Sequence, residues 1–405
     1  MLKMVRTALT AAFATASLSL VAGDTVEGAA RAHDCTIVDA PQIFSSGGLV
    51  IASPRIVPIV FAADPLSPDL LDFVGKYASG PLFAASLDEY GVHGAEVAPP
   101  VVLTDPPPAH TSSDEIADWL STKFLDPTFP QPDARSVYVV TYPEGTAVDI
   151  DFSFDPFPAC SLTGAFHRNV TSPSGAAVPF VVAPHCPGFL GLSGLDEVTM
   201  TLSSELVGAI TDPQFDGYAS PDFNGSVIGA VSNAGEIAEF CEFNTSTPGF
   251  VKPPSLGYTI ARVWSNRAAR SGREPCLPSL PGQHYFNTFP VGIDGIELSP
   301  FVDTKGIPLA PGAQITIPIR LFSDGDGPHK WQLSALEAWD PFFERDPFHQ
   351  LSFSFDKTTG HDGDVRYLTV TRAPASPGTD GAELTFAIQS TSGDETHTWL
   401  VGVGR

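Results

Sequence analysis

The clearest periodicity along the chain is helical and lies between Leu195 and Tyr218. Apolar residues recur there every three or four positions, which is the spacing of one buried helical face. They are Leu195, Val198, Leu202, Leu206, Ala209 and Ile210. Ser193 is a suitable N-cap, and Pro213 ends the helix because the residue before a proline is pushed out of the α region. The pattern predicts a core helix with a polar outer face.

That outer face is predicted to carry the residues whose side chains are relevant to catalysis or metal binding. They are Glu197, Thr201, Ser204, Glu205 and Gly208. In a zincin, such a face presents a metal ligand, a general-base Glu directly after it, and a second ligand four residues after the first. Glu205 occupies the position of the base, whereas Ser204 and Gly208 occupy the positions of the two ligands.

Strands and helices alternate before this helix. Runs rich in Val, Ile and Tyr predict buried strands at Arg55–Ala62, Ser136–Tyr142 and Ala177–Ala183. Helical spacing marks Asp69–Tyr77 and Ser112–Phe124, and the second of these opens with a Ser112–Glu115 capping box. The alternation predicts an α/β layer with a mostly parallel sheet.

The period changes after about Pro290. Apolar and polar residues now alternate, and Gly, Pro and Asp separate the runs, as in an all-β sandwich. The runs are Gln314–Phe322, Gln350–Phe355, Arg366–Thr371, Glu383–Gln389 and Thr396–Gly402. We therefore expect an α/β domain over residues 50–291 and a β-sandwich domain over residues 298–405.

The first residues are typical of a secretory signal. Lys3 and Arg6 precede a short apolar run over Leu9–Ala22, and small residues follow it. We expect a signal peptide over residues 1–23, with residue 32 as the alternative end, and an N-terminal segment over residues 24–49. The protein is then secreted, periplasmic or attached to the cell surface. No later run is apolar enough to predict a membrane span.

The charge of the chain narrows the choice of partners. The chain has 46 acidic and 21 basic residues, which gives a formal net charge of −25. Such a surface repels nucleic acid and anionic lipid, so neither is an expected partner. Acidity also keeps an exported protein soluble.

Several short runs resemble a family of secreted bacterial zincin-like proteins. Residues 204–213, SELVGAITDP, are similar to its H-E-L-A-E-A-I-T-D-P signature. Residues 235–241, GEIAEFC, resemble its downstream G-E-I-G-D-L-C, and VWSN at residues 263–266, followed by Cys276, resembles its W-S-N…C close. The helix is also similar to that of the plant EXORDIUM (phosphate-induced) proteins, which likewise lack the His. The resemblance extends over about residues 50–276 and implies a zincin-like fold.

The same resemblance implies a metal motif that is degenerate in this chain. The ligand His of the family maps onto Ser204, its second helical carboxylate onto Gly208, and its later Asp onto Glu239. Of the family's active-site residues, the resemblance carries over only Glu205 and, with it, Glu236 to this chain. A zinc hydrolase needs about three protein ligands and one open position for water. We therefore interpret Glu205 as the remnant of a general base, with no cofactor.

The functional expectation is an exported protein that has lost catalysis and acts as a binding or cell-surface interaction module. Its partner would be a cell-wall polymer, a glycan or another exported protein. One alternative is a zinc-dependent endopeptidase whose ligands are recruited from His167, His185, Glu236 and Glu239. A second alternative is a structural exported protein.

The five cysteines agree with export. None of them forms a C-x-x-C pair, and an oxidising compartment favours disulfides. Neighbours in sequence close the shorter loops, and the family resemblance implies the same pairs, Cys160–Cys186 and Cys241–Cys276. Cys35 is then left over, either free or paired between chains.

Overall fold

A computed structural model provides the fold. It describes residues 42–151, 156–219, 236–244, 249–271, 273–280, 284–292, 294–299, 302–324, 330–338, 349–375 and 384–404. The expected signal peptide and Cys35 lie outside these residues.

The helices are short apart from α1, α3 and α5. They are α1 (Ser67–Ala78), α2 (Pro81–Leu87), α3 (Ser113–Lys123), α4 (Ala159–Leu162), α5 (Gly194–Thr211), α6 (Glu239–Asn244) and α7 (Asn266–Arg270). The strands of the first part are β1 (Phe44–Ser45), β2 (Arg55–Phe61), β3 (Glu96–Val97), β4 (Val101–Leu103), β5 (His110–Ser112), β6 (Ser136–Tyr142), β7 (Ala147–Ile150), β8 (Phe157–Pro158), β9 (Phe166–Thr171), β10 (Ala177–Pro184), β11 (Tyr218–Ala219), β12 (Phe250–Val251), β13 (Ile260–Ala261), β14 (Val263–Trp264) and β15 (Cys276–Leu277).

The central sheet has the order β3-β2-β6-β10-β9, and β4 pairs with β2 farther along that strand. Its strands are parallel apart from β9, which runs antiparallel to β10 at the edge. Helix α3 packs on one face, whereas α1 and α5 pack on the other. The mixed α/β content, the mostly parallel sheet and the predicted strands are confirmed.

Helix α5 ends at Thr211 with Asp212 as its C-cap, just before Pro213 as predicted. Its burial differs from the prediction, because Glu197, Thr201 and Ser204 of the supposed outer face are all buried. The prediction of a polar outer face is therefore wrong. The chain that follows α5 covers this face, and the backbone N–H of Ala261 donates to Oγ of Ser203 at 2.8 Å.

The last part of the chain consists of strands. They are β16 (Phe286–Pro290), β17 (Asp294–Ser299), β18 (Val302–Pro308), β19 (Gln314–Ser323), β20 (Trp331–Glu337), β21 (Leu351–Phe355), β22 (Thr359–Gly360), β23 (Val365–Arg372), β24 (Leu384–Ser392) and β25 (Glu395–Gly404). Every run predicted here is a strand; β16, β17, β18, β20 and β22 were not predicted. Polar and Gly residues interrupt the alternation in β16, β17 and β18, whereas β20 begins with a regular alternation of apolar and polar residues that was overlooked.

These strands form two sheets that are antiparallel except where β18 runs parallel to β25. One sheet has the order β16-β19-β23-β21, and the other has the order β17-β18-β25-β24-β20-β22. The rings of Phe289 and Trp399, one from each sheet, lie 5.9 Å apart, and those of Phe353 and Phe386 lie 5.2 Å apart. The two sheets thus face each other across an aromatic core.

The two parts of the chain share one hydrophobic core. A single cluster of buried side chains runs from Ile43 through α5 to Val403. Arg262 is fully buried near this junction, where its guanidinium pairs with Glu274 and donates to the carbonyl of Pro278 at 3.0 Å. The N–H of Glu274 donates to Asp324 at 2.7 Å, so this polar network reaches the C-terminal sheets.

Both expected disulfide pairs are present. Cys160–Cys186 ties α4 to the end of β10, and Cys241–Cys276 ties α6 to β15. Their Cα–Cα distances of 5.1 and 5.7 Å are ordinary for disulfides. Two disulfides are compatible with an extracellular protein. No helix in the described part of the chain is long and apolar enough to cross a membrane.

The two serine caps allow a direct test of the helix starts. Oγ of Ser112 accepts from the N–H of Glu115, and the Glu115 carboxylate accepts from the N–H of Ser112, which completes the predicted capping box. Ser193 occupies the N-cap of α5, but its side chain makes no capping hydrogen bond. Ser112→Ala should therefore lower the free energy of unfolding by about 1 kcal/mol. Ser193→Ala should change it by less than about 0.5 kcal/mol.

Urea unfolding of the oxidised protein measures both changes. Equal losses in the two variants would contradict the assignment of the caps.

Candidate functional site

Glu205 is paired with a histidine from the neighbouring edge strand. Nδ1 of His167, on β9, donates to Oε2 of Glu205, on α5, at 2.9 Å. His167 faces α5 because it stands opposite Val181 of β10, whose side chain belongs to the core on the α5 side of the sheet. The His167 side chain is 2% exposed and that of Glu205 is 15% exposed. The carboxylate that was predicted as a general base is thus engaged in a buried pair.

Gly208 leaves the space that His167 and Glu236 occupy. A Cβ atom at position 208 would lie 2.0 Å from Oε2 of Glu236 and 3.0 Å from Cε1 of His167. Oε1 of Glu236 is 3.8 Å from Nε2 of His167. The imidazole therefore stands between two carboxylates, where the family resemblance implies a ligand side chain.

Two more glutamates complete what we call the His167 cluster, namely His167, Glu205, Glu236, Glu239 and Glu242. Oε2 of Glu239 accepts from the N–H of Glu236 at 3.3 Å. The hydroxyl of Ser204 lies 3.5 Å from Oε2 of Glu242. The ring of Phe215 stacks on that of His167 at 4.7 Å. One helix, one edge strand and the start of α6 thus bring five ionisable groups together.

Burial and mutual repulsion keep protons on this cluster. Burial raises the pKa of Glu242 to about 8, and repulsion from Glu239 and Glu205 adds to the rise. Burial likewise raises the pKa of Glu236 and of Glu239. Burial alone would lower the pKa of His167, but the charges of Glu236 and Glu205 outweigh it and raise that pKa to about 9. The His167 side chain is therefore an imidazolium at neutral pH.

A second polar group lies under the other end of α5, and we call it the His185 cluster: Asp64, Thr141, His185 and Glu197. Nε2 of His185 is 3.2 Å from Oδ2 of Asp64. Oε2 of Glu197 accepts from the N–H of Cys186 at 3.0 Å. Burial raises the pKa of Glu197 to about 7.

The two clusters are separated along both the sheet and the helix. Four residues of extended chain from Val181 to His185 span about 13 Å. Eight helical residues from Glu197 to Glu205 span about 12 Å. Of the four candidate metal ligands, the structure thus brings His167, Glu236 and Glu239 together and places His185 elsewhere.

A zinc ion of the kind that the resemblance implies would have to bind beside Ser204, Glu205 and Gly208. Ser204 offers only a hydroxyl, and the space beside Gly208 is filled by the Glu236 carboxylate and the His167 ring. In the described part of the chain, no three His, Cys, Asp or Glu side chains are arranged to hold a metal ion. The residues present do not fit that zinc ion.

Sequence reasoning missed Asp64, Thr141, Phe215 and Glu242 as members of polar clusters. The only available signal concerned Asp64 and Thr141, which lie at the carboxyl ends of predicted parallel strands, where sites of α/β folds are found. Glu242 and Phe215 come from chain that folds back onto α5, and no local pattern marks them.

The His167 cluster predicts a stability that declines with pH. The carboxyl groups of Glu236, Glu239 and Glu242 have raised pKa values, so the folded state holds protons that the unfolded state releases above about pH 4.5. His167 keeps its proton up to about pH 9, whereas an unfolded His loses it near pH 6.5. Both effects lower the free energy of unfolding as pH rises from 5 to 9. Each proton held only by the folded state contributes about 1.4 kcal/mol per pH unit.

Glu242→Gln should flatten this decline and raise stability at pH 8 to 9 relative to the natural protein. Urea midpoints across the pH range measure the effect, and Glu144→Gln, at an exposed glutamate, is the matched control. An unchanged slope in Glu242→Gln would contradict the burial of a proton at that side chain.

Two buried polar clusters under α5 are thus the candidate sites of the described chain, and the His167 cluster contains Glu205, the residue interpreted as the remnant of a general base. No protein-family model, no curated protein and no solved structure matches this chain.

Proposed function

We propose that the protein is an exported binding or cell-surface interaction module on a metallopeptidase-like scaffold without peptidase activity. The observation that carries this proposal is the pair formed by His167 and Glu205. A general base must be free to take a proton from a metal-bound water. The Glu205 carboxylate instead accepts a hydrogen bond from an imidazolium.

The neighbourhood of Gly208 supports the same proposal. A peptidase of the zincin type needs a second ligand one helical turn after the first. Here the Glu236 carboxylate takes that space, and the His167 imidazolium supplies the positive charge that a metal would otherwise supply to the acidic residues. A cluster of paired ionisable side chains therefore stands where a zincin has its metal ion and its free general base.

An exposed apolar rim next to the cluster offers a surface for a partner. The segment around Phe44 runs antiparallel to the segment around Tyr218, and the N–H of Gly48 donates to the carbonyl of Asp216 at 2.8 Å. Along this rim Phe44, Leu49 and Phe215 are 44%, 46% and 61% exposed. Phe215 has a φ of +59°, a strained conformation that holds its ring on His167. Contiguous exposed apolar patches mark interaction sites, and we take these three side chains as the candidate patch.

The absence of catalysis is tested with Glu205→Ala. We expect the natural protein, Glu205→Ala and Glu144→Ala to show the same background rate of casein hydrolysis, with or without added zinc, while thermolysin in the same assay is active. The zinc content of the protein should not depend on Glu205. Casein hydrolysis that requires zinc and disappears in Glu205→Ala would overturn the proposal in favour of the peptidase.

The binding role is tested at the rim. Phe44→Ser and Phe215→Ser should weaken cosedimentation with insoluble peptidoglycan or chitin about tenfold, because truncation of an aromatic anchor costs about 1–2 kcal/mol or more. Leu125→Ser, at a side chain that is 73% exposed after α3, is the matched control. Equal binding by the rim variants and the control would exclude the rim as the contact surface for these polymers.

A further inference from the structure

The His185 cluster contains four buried polar atoms that have no hydrogen-bond partner. They are Oδ2 of Asp64, Oγ1 of Thr141, Nε2 of His185 and Oε1 of Glu197. The side chains of Asp64 and His185 are 0% and 6% exposed, and Glu197 is fully buried. Each buried polar group left without a partner costs about 1–3 kcal/mol. The presence of four such atoms in one cluster indicates a binding site for a ligand that satisfies them together.

The fold brings the four residues to one place. Asp64 follows β2, Thr141 lies near the end of β6, and His185 follows β10, so all three stand at the carboxyl ends of neighbouring parallel strands. This edge is where α/β sheets place their ligands. Glu197 approaches from the first turn of α5, and its Oε2 is fixed by the N–H of Cys186.

The side chains of Asp64 and His185 lie at ion-pair distance, which is also the spacing of two ligands of one ion. Their atoms Oδ2 and Nε2 are 3.2 Å apart, yet they form no hydrogen bond with each other. The other oxygen of Asp64 accepts from the N–H of Leu66 at 2.9 Å, which fixes the carboxylate. Two donors at about 2.0–2.1 Å from a tetrahedral zinc ion stand roughly 3.3 Å apart and point at the metal instead of at each other.

We propose that Asp64 and His185 are the first two ligands of a divalent-cation site of the zinc class, and that Glu197 supplies the third. Oε1 of Glu197 must turn toward the pair on binding, because no three such side chains converge among the residues described. Water completes the coordination. One imidazole nitrogen with carboxylate oxygens suits Zn²⁺, whereas Ca²⁺ prefers six to eight oxygen ligands. The ion ties the sheet to α5 beside the Cys160–Cys186 disulfide.

The site is distinct from the His167 cluster, so it stands or falls independently of the proposed function. The test uses the purified full-length protein, stripped with a chelator and titrated with Zn²⁺ alone. We expect one Zn²⁺ per chain, a higher melting temperature with Zn²⁺ than with Ca²⁺, and one imidazole in the X-ray absorption spectrum of the bound metal.

Variants locate the ion. Asp64→Asn, which is nearly isosteric, and His185→Gln should each weaken Zn²⁺ binding by about 100-fold or more, since the loss of a mere partner of a ligand already costs about 10–100-fold. His93→Gln, at an exposed histidine, is the matched control and should bind Zn²⁺ normally. A protein that binds no Zn²⁺ would overturn the proposal. So would binding that survives both Asp64→Asn and His185→Gln, or that is lost in His93→Gln.

Discussion

Helix α5 is buried from Glu197 to Thr211 apart from Glu205, and the need to satisfy its buried polar side chains shapes the structure around it. A polar group without a partner in the interior costs free energy comparable to that of a lost hydrogen bond. Ser203 accepts from Ala261, Glu197 accepts from Cys186, and Glu205 accepts from His167. Each of these partners comes from a different segment, so the helix fixes the positions of β9, β10 and β13 at once.

The His167 cluster is the most crowded example of this constraint. Glutamates crowded into one buried place repel each other, and only protonation or a cation relieves the repulsion. His167 supplies a positive charge from the protein itself, between the carboxylates of Glu205 and Glu236. The same crowding that stabilises an imidazolium engages Glu205 in a hydrogen bond, so the proposed absence of catalysis and the composition of the cluster have one physical cause.

The His185 cluster presents the opposite situation. Its imidazole and its nearest carboxylate are buried at ion-pair distance, 3.2 Å apart, and no hydrogen bond joins them. Because no protein group forms a hydrogen bond with these atoms, the proposed cation would satisfy them. One helix thus covers two polar clusters, one neutralised from within and one suited to a bound cation. The core shared with the C-terminal sheets, and the Arg262–Glu274 pair near the junction, hold this arrangement in place.

The sequence by itself determined the elements whose signals are local. Periodicity located α5 and the strands β2, β6 and β10, the capping box located α3, and proline chemistry located the end of α5, since each depends on residues a few positions apart. Tertiary structure alone decided that the polar face of α5 is buried, that His167 rather than solvent meets Glu205, and that His185 lies with Asp64. These contacts join residues 38 or more positions apart, and which distant segments meet depends on how the whole core packs.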